Sequence, residues 1–424
     1  MRSITKDFLN FVALIPFIVV NMSSSIFLGF TLWQVIALAL LLVFFIVTLV
    51  YLYGVYYRVY RYARCADNGK VAYAQELPSV SVIVYANALE AEGVLELLPV
   101  LLAQKYPCFE VIVVNDGVSL ELQNAISAFE CEYNNVYQTF VPETVYNVSR
   151  KKLGITLGIK AAKNDVIVLT EANCKPLSDN WLRAMARNFV PGVDVVLGYT
   201  RMASEAGAKG RGFHLFDRMT FALRFLSYAI MKKPYMGVGS NLAYRKECFF
   251  DNKGFSATLN LHYGDDDLLV NEMSNKKNTR VELSADSIVE SYYDNNMEAW
   301  NEQRMKYNFT AQFLHTSSRV VFVLETIFHW LWWCASGFAI AMLVPRLATG
   351  GWPIVVAMVV VCLLITLYWV LTWLVYSRVA RMLGEPCRAA LVPFYQIVRP
   401  LYSLYYAIVG KDLKKCIYTW QSIR

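Results

Sequence analysis

Phe109-Glu110-Val111-Ile112-Val113-Val114-Asn115-Asp116-Gly117 is an apolar, β-branched run that stops on an Asn-Asp-Gly turn, the pattern of a buried strand ending where the chain reverses. Outward from it, Val80-Ser81-Val82-Ile83-Val84-Tyr85 reads as the preceding strand, Leu95 to Ala103 as the helix between the two, and Leu120 to Phe129 as the helix that follows. That is a βαβα start. Val166-Ile167-Val168-Leu169 and Val193-Asp194-Val195-Val196-Leu197 continue the signal, which predicts an open, largely parallel sheet covered by helices. Ligands of such sheets bind outside the carboxyl ends of the strands. Polar groups stand at three of those ends: Asn87, Asn115-Asp116-Gly117 and Glu171-Ala172-Asn173. Asn-Asp-Gly alone is ordinary turn chemistry, whereas three polar ends on one edge point to a site.

Further along, Gly264-Asp265-Asp266-Asp267-Leu268-Leu269 places three successive carboxylates between a turn glycine and an apolar helix start. Carboxylates repel one another and are costly to desolvate, so a fold gathers them to hold a cation, accept a proton or cap a helix. Catalysis and capping both remain open for this run.

The 424 residues are 56% hydrophobic with a mean hydropathy of +0.36, too apolar for an ordinary soluble enzyme. The excess lies at the two ends. Ile26 to Tyr53, Val320 to Val344 and Pro353 to Tyr376 are each long enough to cross a bilayer, the last two joined as a hairpin by a turn holding Pro345, Gly350 and Gly351. Arg58, Arg61 and Arg64 follow the first span, and Arg378, Arg381 and Arg388 follow the third. The positive-inside rule therefore puts the globular middle in the cytosol. Phe8 to Met22 and Ala389 to Gly410, each interrupted by proline, are read as helices lying in the interface. The net charge of +7 is accounted for by arginines beside the spans, and no basic tract with interleaved aromatics points to nucleic acid. Nine scattered cysteines give neither a disulfide framework nor a zinc-ligand spacing.

Gln104-Lys105-Tyr106-Pro107-Cys108 leading into Phe109 to Gly117 resembles the nucleotide-sugar half of family 2 glycosyltransferases. In the family's order follow Lys151-Lys152-Leu153-Gly154, similar to its lysine-bearing helix, and Glu171-Ala172-Asn173 where it carries D-x-D. Gly264-Asp265-Asp266 falls on its E-D base motif, and Gln303-Arg304-Met305-Lys306-Tyr307 resembles the Q-x-x-R-W of membrane polysaccharide synthases such as cellulose and hyaluronan synthases. The resemblance runs from Pro78 to Ala311.

It implies a GT-A fold, a Rossmann-like mixed sheet, in a cytosolic domain at 78–311, with a membrane anchor at 1–64 and a membrane hairpin plus interfacial helix at 312–424. It further implies inverting sugar transfer from a nucleoside diphosphate donor, most simply a UDP-sugar. Asp266 would be the base, with Asp265 beside it, because only a side chain within hydrogen-bond reach of the acceptor hydroxyl can take its proton. Asn87, Asp116, Lys152, Glu171, Arg304 and Lys306 would hold the donor. Gln303, Tyr307 and the loop Gly239-Ser240-Asn241 would face the acceptor. Glu171 and Asn173 would hold Mg²⁺ or Mn²⁺, although a neutral amide where the family has its main metal-ligating aspartate lowers the expected affinity.

The resemblance points to an integral protein of the bacterial inner membrane that works among membrane lipids on a lipid-linked or growing glycan. A processive polysaccharide synthase is the alternative within the enzyme reading, and would need a homo-oligomer or export partner to complete a channel. A catalytically silent sugar-nucleotide-binding scaffold is the alternative outside it, suggested by the altered Glu171-Ala172-Asn173.

Overall fold

The computed structural model describes residues 30–409 except 88–89, 118–119, 145, 204–210, 294–295 and 387. Phe8 to Met22 lies outside the described residues. The chain divides into two compact units, 30–52 with 324–373 and 53–323 with 374–409.

In chain order, helix α1 (Leu32–Tyr51) passes through a π-helical turn at Leu52–Tyr56 into α2 (Tyr57–Asp67), and strand β1 (Val80–Asn87) opens the sheet. There follow α3 (Ala91–Leu102), β2 (Phe109–Asp116), α4 (Leu120–Glu132), β3 (Val136–Phe140), α5 (Arg150–Ala161) and β4 (Val166–Glu171). Next come β5 (Cys174–Pro176), α6 (Trp181–Ala186), β6 (Val195–Leu197), β7 (Thr200–Met202), α7 (Arg211–Ile230), β8 (Leu242–Arg245) and α8 (Lys246–Asp251). The unit's later elements are α9 (Asp267–Met273), β9 (Thr279–Val281), β10 (Val289–Ser291) and α10 (Asn296–Thr310). Helices α11 (Thr316–Leu343), α12 (Gly351–Leu383) and α13 (Val392–Val409) close the described chain.

Seven strands pair in the order β3-β2-β1-β4-β8-β6-β9, and β5-β10-β7 form a second small sheet. The β3-β2-β1-β4 half is parallel, whereas β8 runs antiparallel to both β4 and β6. The predicted parallel start is therefore present within a mixed α/β, Rossmann-like sheet. Helix α3 begins four residues ahead of the predicted Leu95, because Asn87 and Glu90 close a reciprocal pair at its start: Glu90 N–H donates to Asn87 Oδ1 and Asn87 N–H to Glu90 Oε2, each at 3.2 Å. The strands are apolar on both faces because helices cover both, and Val82, Val84, Val111, Val113, Val166 and Val168 are fully buried in one core with Leu97, Leu101 and Trp181.

In the other unit, Leu41, Phe45, Trp332, Ile354, Val361 and Tyr368 pack together, with the rings of Phe45 and Trp332 5.6 Å apart. Leu42, Val43, Ile46, Val359, Leu363 and Leu367 point outward and are exposed. Helices apolar both inward and outward have the composition of segments that face lipid. Among the described residues three helices are long and apolar enough to cross a membrane: Leu32–Asp67, Ile327–Arg346 and Gly351–Leu383. They fall on the three predicted spans. Residues 389–409 form a short 3₁₀ turn and α13, which holds Pro400 and is not among those three.

Candidate active site

The parallel register brings the polar strand ends together: Asn87 pairs with Asp116 across β1 and β2, and Tyr85 with Glu171 across β1 and β4. With β2 on one side of β1 and β4 on the other, the strand order reverses at β1, where such sheets open a crevice. Helix α5 lies against this edge because Gly154 and Gly158 carry no side chain. A Cβ on Gly154 would stand 2.9 Å from the Tyr85 ring, and one on Gly158 2.8 Å from Val114. Ser149 caps the helix, and Arg150 and Lys151 in its first turn reach the crevice. Asp116 is gripped from two sides, by the Tyr85 hydroxyl and by Arg150, whose Nε donates at 2.8 Å.

Beside it lies a network of carboxylates and lysines. Lys151 Nζ is 2.9 Å from Glu171 Oε1 and 2.9 Å from Asp265 Oδ2. From α10, Lys306 Nζ is 3.3 Å from Asp265 Oδ1 and 3.1 Å from Asp266 Oδ1. Asp266 is buried and heavily hydrogen bonded. Its Oδ2 accepts from Gly239 N–H at 3.1 Å and from the Tyr307 hydroxyl at 3.0 Å, and its Oδ1 from Asp267 N–H at 2.8 Å. Gly264 makes the turn before it at φ +99°. Tyr85, Glu90, Lys151, Thr170, Glu171, Gly239 and Asp265 line the cleft beside this network. Burial alone would raise Asp265, but Lys151 and Lys306 outweigh it and hold the carboxyl well below the usual carboxylate range. Glu171 is lowered by the same two lysines against the same burial.

Several residues read from the sequence stand elsewhere than expected. Lys152 does not line the cleft: its Nζ is buried and donates to Thr258 O at 2.6 Å and Tyr263 O at 2.8 Å, and burial pulls its pKa down to about 8. Successive helix residues point about 100° apart, so only one of the two lysines can face the cleft, and it is Lys151. Arg304 is likewise turned from the cluster, with Nη2 2.5 Å from Asp217 Oδ1, because residues two apart on a helix do not share a face and Lys306 takes the cleft side. Asn241 is a buried cross-link rather than an acceptor contact. It accepts from Trp181 Nε1 at 3.1 Å and donates to Tyr199 O and Ser287 O at 2.9 and 2.8 Å. Ser240 is also buried, its hydroxyl 2.8 Å from that of Thr200.

Of that loop, Gly239 alone lines the cleft. Asn87 sits at the strand end but serves the start of α3. Gln303 is partly buried on α10, one turn before Lys306 and Tyr307. The Tyr307 ring is stacked on Phe221 with centroids 4.8 Å apart, and its hydroxyl holds Asp266. Within the carboxylate run the capping role falls to Asp266, the N-cap of α9. Tyr85, Glu90, Arg150 and Lys151 were missed, although Tyr85 ends the first apolar run of the sequence.

Glu171 and Asn173 do not make a divalent-cation site as they stand. The Glu171 carboxylate is already paired with an ammonium, and Asn173 Oδ1 accepts from Cys174 Sγ at 3.4 Å while its side chain also bonds Tyr293. Among the described residues no group of three or more His, Cys, Asp or Glu side chains is arranged to hold a metal ion.

Asp267 is buried beside Asp266, and burial together with that neighbouring charge pushes its pKa up from 3.8 to about 7, against Lys306 and the Thr310 hydroxyl. A proton held more tightly in the folded state than in the unfolded chain adds stability that is full below about pH 4 and is lost as pH rises through about 7. Asp265 and Glu171 act in the opposite sense, since their contribution is lost on acidification. Asp267→Asn is therefore expected to flatten the decline of the melting temperature between about pH 5 and 8. Equal slopes for variant and wild type would show that Asp267 is ionised throughout.

Residues 79–250 match the family model described as glycosyl transferase family 2. The match takes in β1 to β8 and ends before Asp265, so the carboxylate run and α10 lie beyond it. No curated protein matches the chain. Among solved structures, the mannosyltransferase PcManGT from Pyrobaculum calidifontis, in complex with GDP-Man and Mn²⁺, is 17% identical over 88% of this chain and 99% of its own, with a TM-score of 0.49. GalNAc-T7 with UDP, GalNAc and Mn²⁺ is 12% identical over 52% of this chain and 45% of its own, TM-score 0.39. TarS of S. aureus is 14% identical over 79% and 55%, TM-score 0.39.

Proposed function

We propose that the chain, a glycosyltransferase with a GT-A domain by its family 2 match, transfers a sugar from a nucleoside diphosphate donor to an acceptor hydroxyl with inversion. The observation that carries the reading is the Lys151–Asp265–Lys306–Asp266 network at the sheet edge where the strand order reverses. It sets cations for a leaving diphosphate directly beside a carboxylate able to take a proton. The acceptor oxygen attacks the anomeric carbon from the face opposite the leaving group, and the new C–O bond forms as the bond to the β-phosphate oxygen breaks. The electron pair of that bond leaves on the phosphate, and the acceptor proton passes to Asp266.

The fixed geometry of the base supports this assignment. Gly239 N–H, Asp267 N–H and the Tyr307 hydroxyl hold the Asp266 carboxylate from three directions, so no reorganisation is needed at the moment of transfer. Asp116, locked by Tyr85 and Arg150, is assigned to the ribose or base of the nucleotide, and Gln303 and Tyr307 to the acceptor side. Lys306 occupies the basic place of the Q-x-x-R-W pattern, which supports the likeness to membrane polysaccharide synthases.

Three candidate spans support a membrane-bound enzyme, and the arginines after the first and third support a cytosolic catalytic domain. Three spans among the described residues favour a lipid-linked acceptor over a channel that threads a polymer, and a bacterial inner membrane is the matching location. Hydrolysis of radiolabelled sugar nucleotides by the purified chain in detergent, across UDP and GDP donors, tests the function. Release of nucleoside diphosphate from at least one donor is expected, because the site must still reach water when no acceptor is present. Donor binding without turnover would leave the silent sugar-nucleotide-binding scaffold in its place, and absence of both for every donor would remove either reading.

A further inference from the structure

We propose that Lys151 supplies the positive charge for the leaving diphosphate, and that donor binding needs no divalent cation. The inference rests on the glycosyl-transfer reading of the site. Lys151 Nζ stands 2.9 Å from both Glu171 and Asp265, at the end of β4 where a cation bound by Glu171 would have to sit. An ion entering there must displace the ammonium from between Glu171 and Asp265, and it would gain those two carboxylates with no third His, Cys, Asp or Glu ligand arranged beside them among the described residues. The Asn173 amide faces away, with Asn173 Oδ1 receiving the Cys174 thiol and its side chain bonded to Tyr293.

The ammonium, by contrast, is built in. Glu171 and Asp265 raise its proton affinity against the effect of burial, so Lys151 stays charged. Two of its three N–H donors are used by the carboxylates, which leaves one among the described residues for a phosphate oxygen. Its side chain is 31% exposed and lines the cleft, whereas that of Asp266 is 2% exposed. Lys306 backs it from α10, so the electron pair left on the β-phosphate oxygen meets two ammonium groups and no proton has to move to it. Sequence offers a companion sign: a carboxylate is missing from position 173 while a second lysine stands at 151–152.

The test uses the full chain in detergent, stripped with EDTA, and isothermal titration with UDP, GDP, UMP and GMP. At least one nucleoside diphosphate is expected to bind with a Kd that changes less than about threefold when Mn²⁺ is added, and Lys151→Met to weaken it about 10- to 100-fold, the worth of one charge-assisted contact. The matching monophosphate should change less than about threefold, and Lys151→Arg should restore most of the diphosphate affinity. In parallel, free Mn²⁺ measured by its electron paramagnetic resonance signal should not fall when protein is added. Diphosphate binding that appears only with Mn²⁺, or stoichiometric uptake of Mn²⁺ by the stripped protein, would overturn the proposal and leave the glycosyl-transfer reading standing. Failure of every nucleotide to bind with or without Mn²⁺ would overturn both.

Discussion

Asp266→Asn is expected to lower sugar transfer by about 10²- to 10⁴-fold, the usual contribution of a positioned general base, while the Kd for the donor diphosphate moves less than about threefold. The two expectations separate because of where Asp266 sits. It is buried behind Gly239, whereas Lys151, Glu171 and Asp265 line the cleft that would receive the phosphates. An asparagine carbonyl can still accept from Gly239 N–H and Tyr307, while its amide gives up the acceptor that Asp267 N–H and Lys306 had, so the loop keeps two of its holds and proton acceptance is lost. Lys306 keeps Asp265 at 3.3 Å as a counter-charge. Turnover and binding measured on the same preparation should therefore diverge.

The rival base is Asp265, which is closer to the open cleft. Its carboxylate is held far below the usual range by two lysines, and a carboxylate so stabilised as an anion is a poor proton acceptor. Its position between Lys151 and Lys306 suits it to fixing those cations rather than taking the acceptor proton. Turnover of Asp266→Asn within a few-fold of wild type would nevertheless move the base role to Asp265.

Much of this arrangement was legible in the sequence, and the portion that was not has a consistent cause. Strand ends are readable because each apolar run stops where its strand leaves the sheet, and parallel strands end on the same edge. Asn87, Asp116 and Glu171 thus arrived at one edge as expected. Helical residues are harder, because their direction depends on the rotation of the helix about its axis, which only packing fixes. That rotation chose Lys151 over Lys152 and turned Arg304 away from Lys306. Gly154 and Gly158 were the available clue, since the small face of α5 must meet the sheet and Lys151 follows from it by about 100° steps. The loop Gly239-Ser240-Asn241 misled for a different reason: polar side chains can be structural when backbone carbonyls need donors, as Tyr199 and Ser287 do here.

Arg304, turned away from the cleft, sets up the second large effect. Asp217 on α7 is buried and accepts from Arg304 Nη2 at 2.5 Å, from Arg399 Nε of α13 at 3.1 Å and from Trp300 Nε1 at 2.9 Å. One carboxylate thus ties together α7, the helix that carries Lys306 and Tyr307, and the last described helix. Burial alone would raise its pKa, yet the two arginines outweigh this and keep it lowered. Asp217→Ala removes the carboxylate from between two guanidinium groups in a buried setting. Removing one partner of such a pair typically costs about 3–5 kcal/mol, which is a large share of a marginal stability.

The expected result is a sharply lower melting temperature in detergent, with early proteolysis around α13, and loss of transfer as α10 loosens its hold on Asp266. A variant that also removes the charges, Asp217→Leu with Arg304→Met and Arg399→Met, should recover most of the stability, because well-packed apolar replacements of a buried ionic cluster are often close to neutral. If Asp217→Ala alone melts within about 1 kcal/mol of wild type, water reaches the arginines and the three helices are held together by their aromatic contacts instead. Those contacts are dense enough to be the natural competitor, since Trp300 meets Phe213, His214, Tyr402 and Tyr406 with ring centroids between 4.4 and 5.9 Å. The triple variant decides between them, because aromatic packing predicts no rescue where there was no loss, whereas the charge clamp requires both the loss and its recovery.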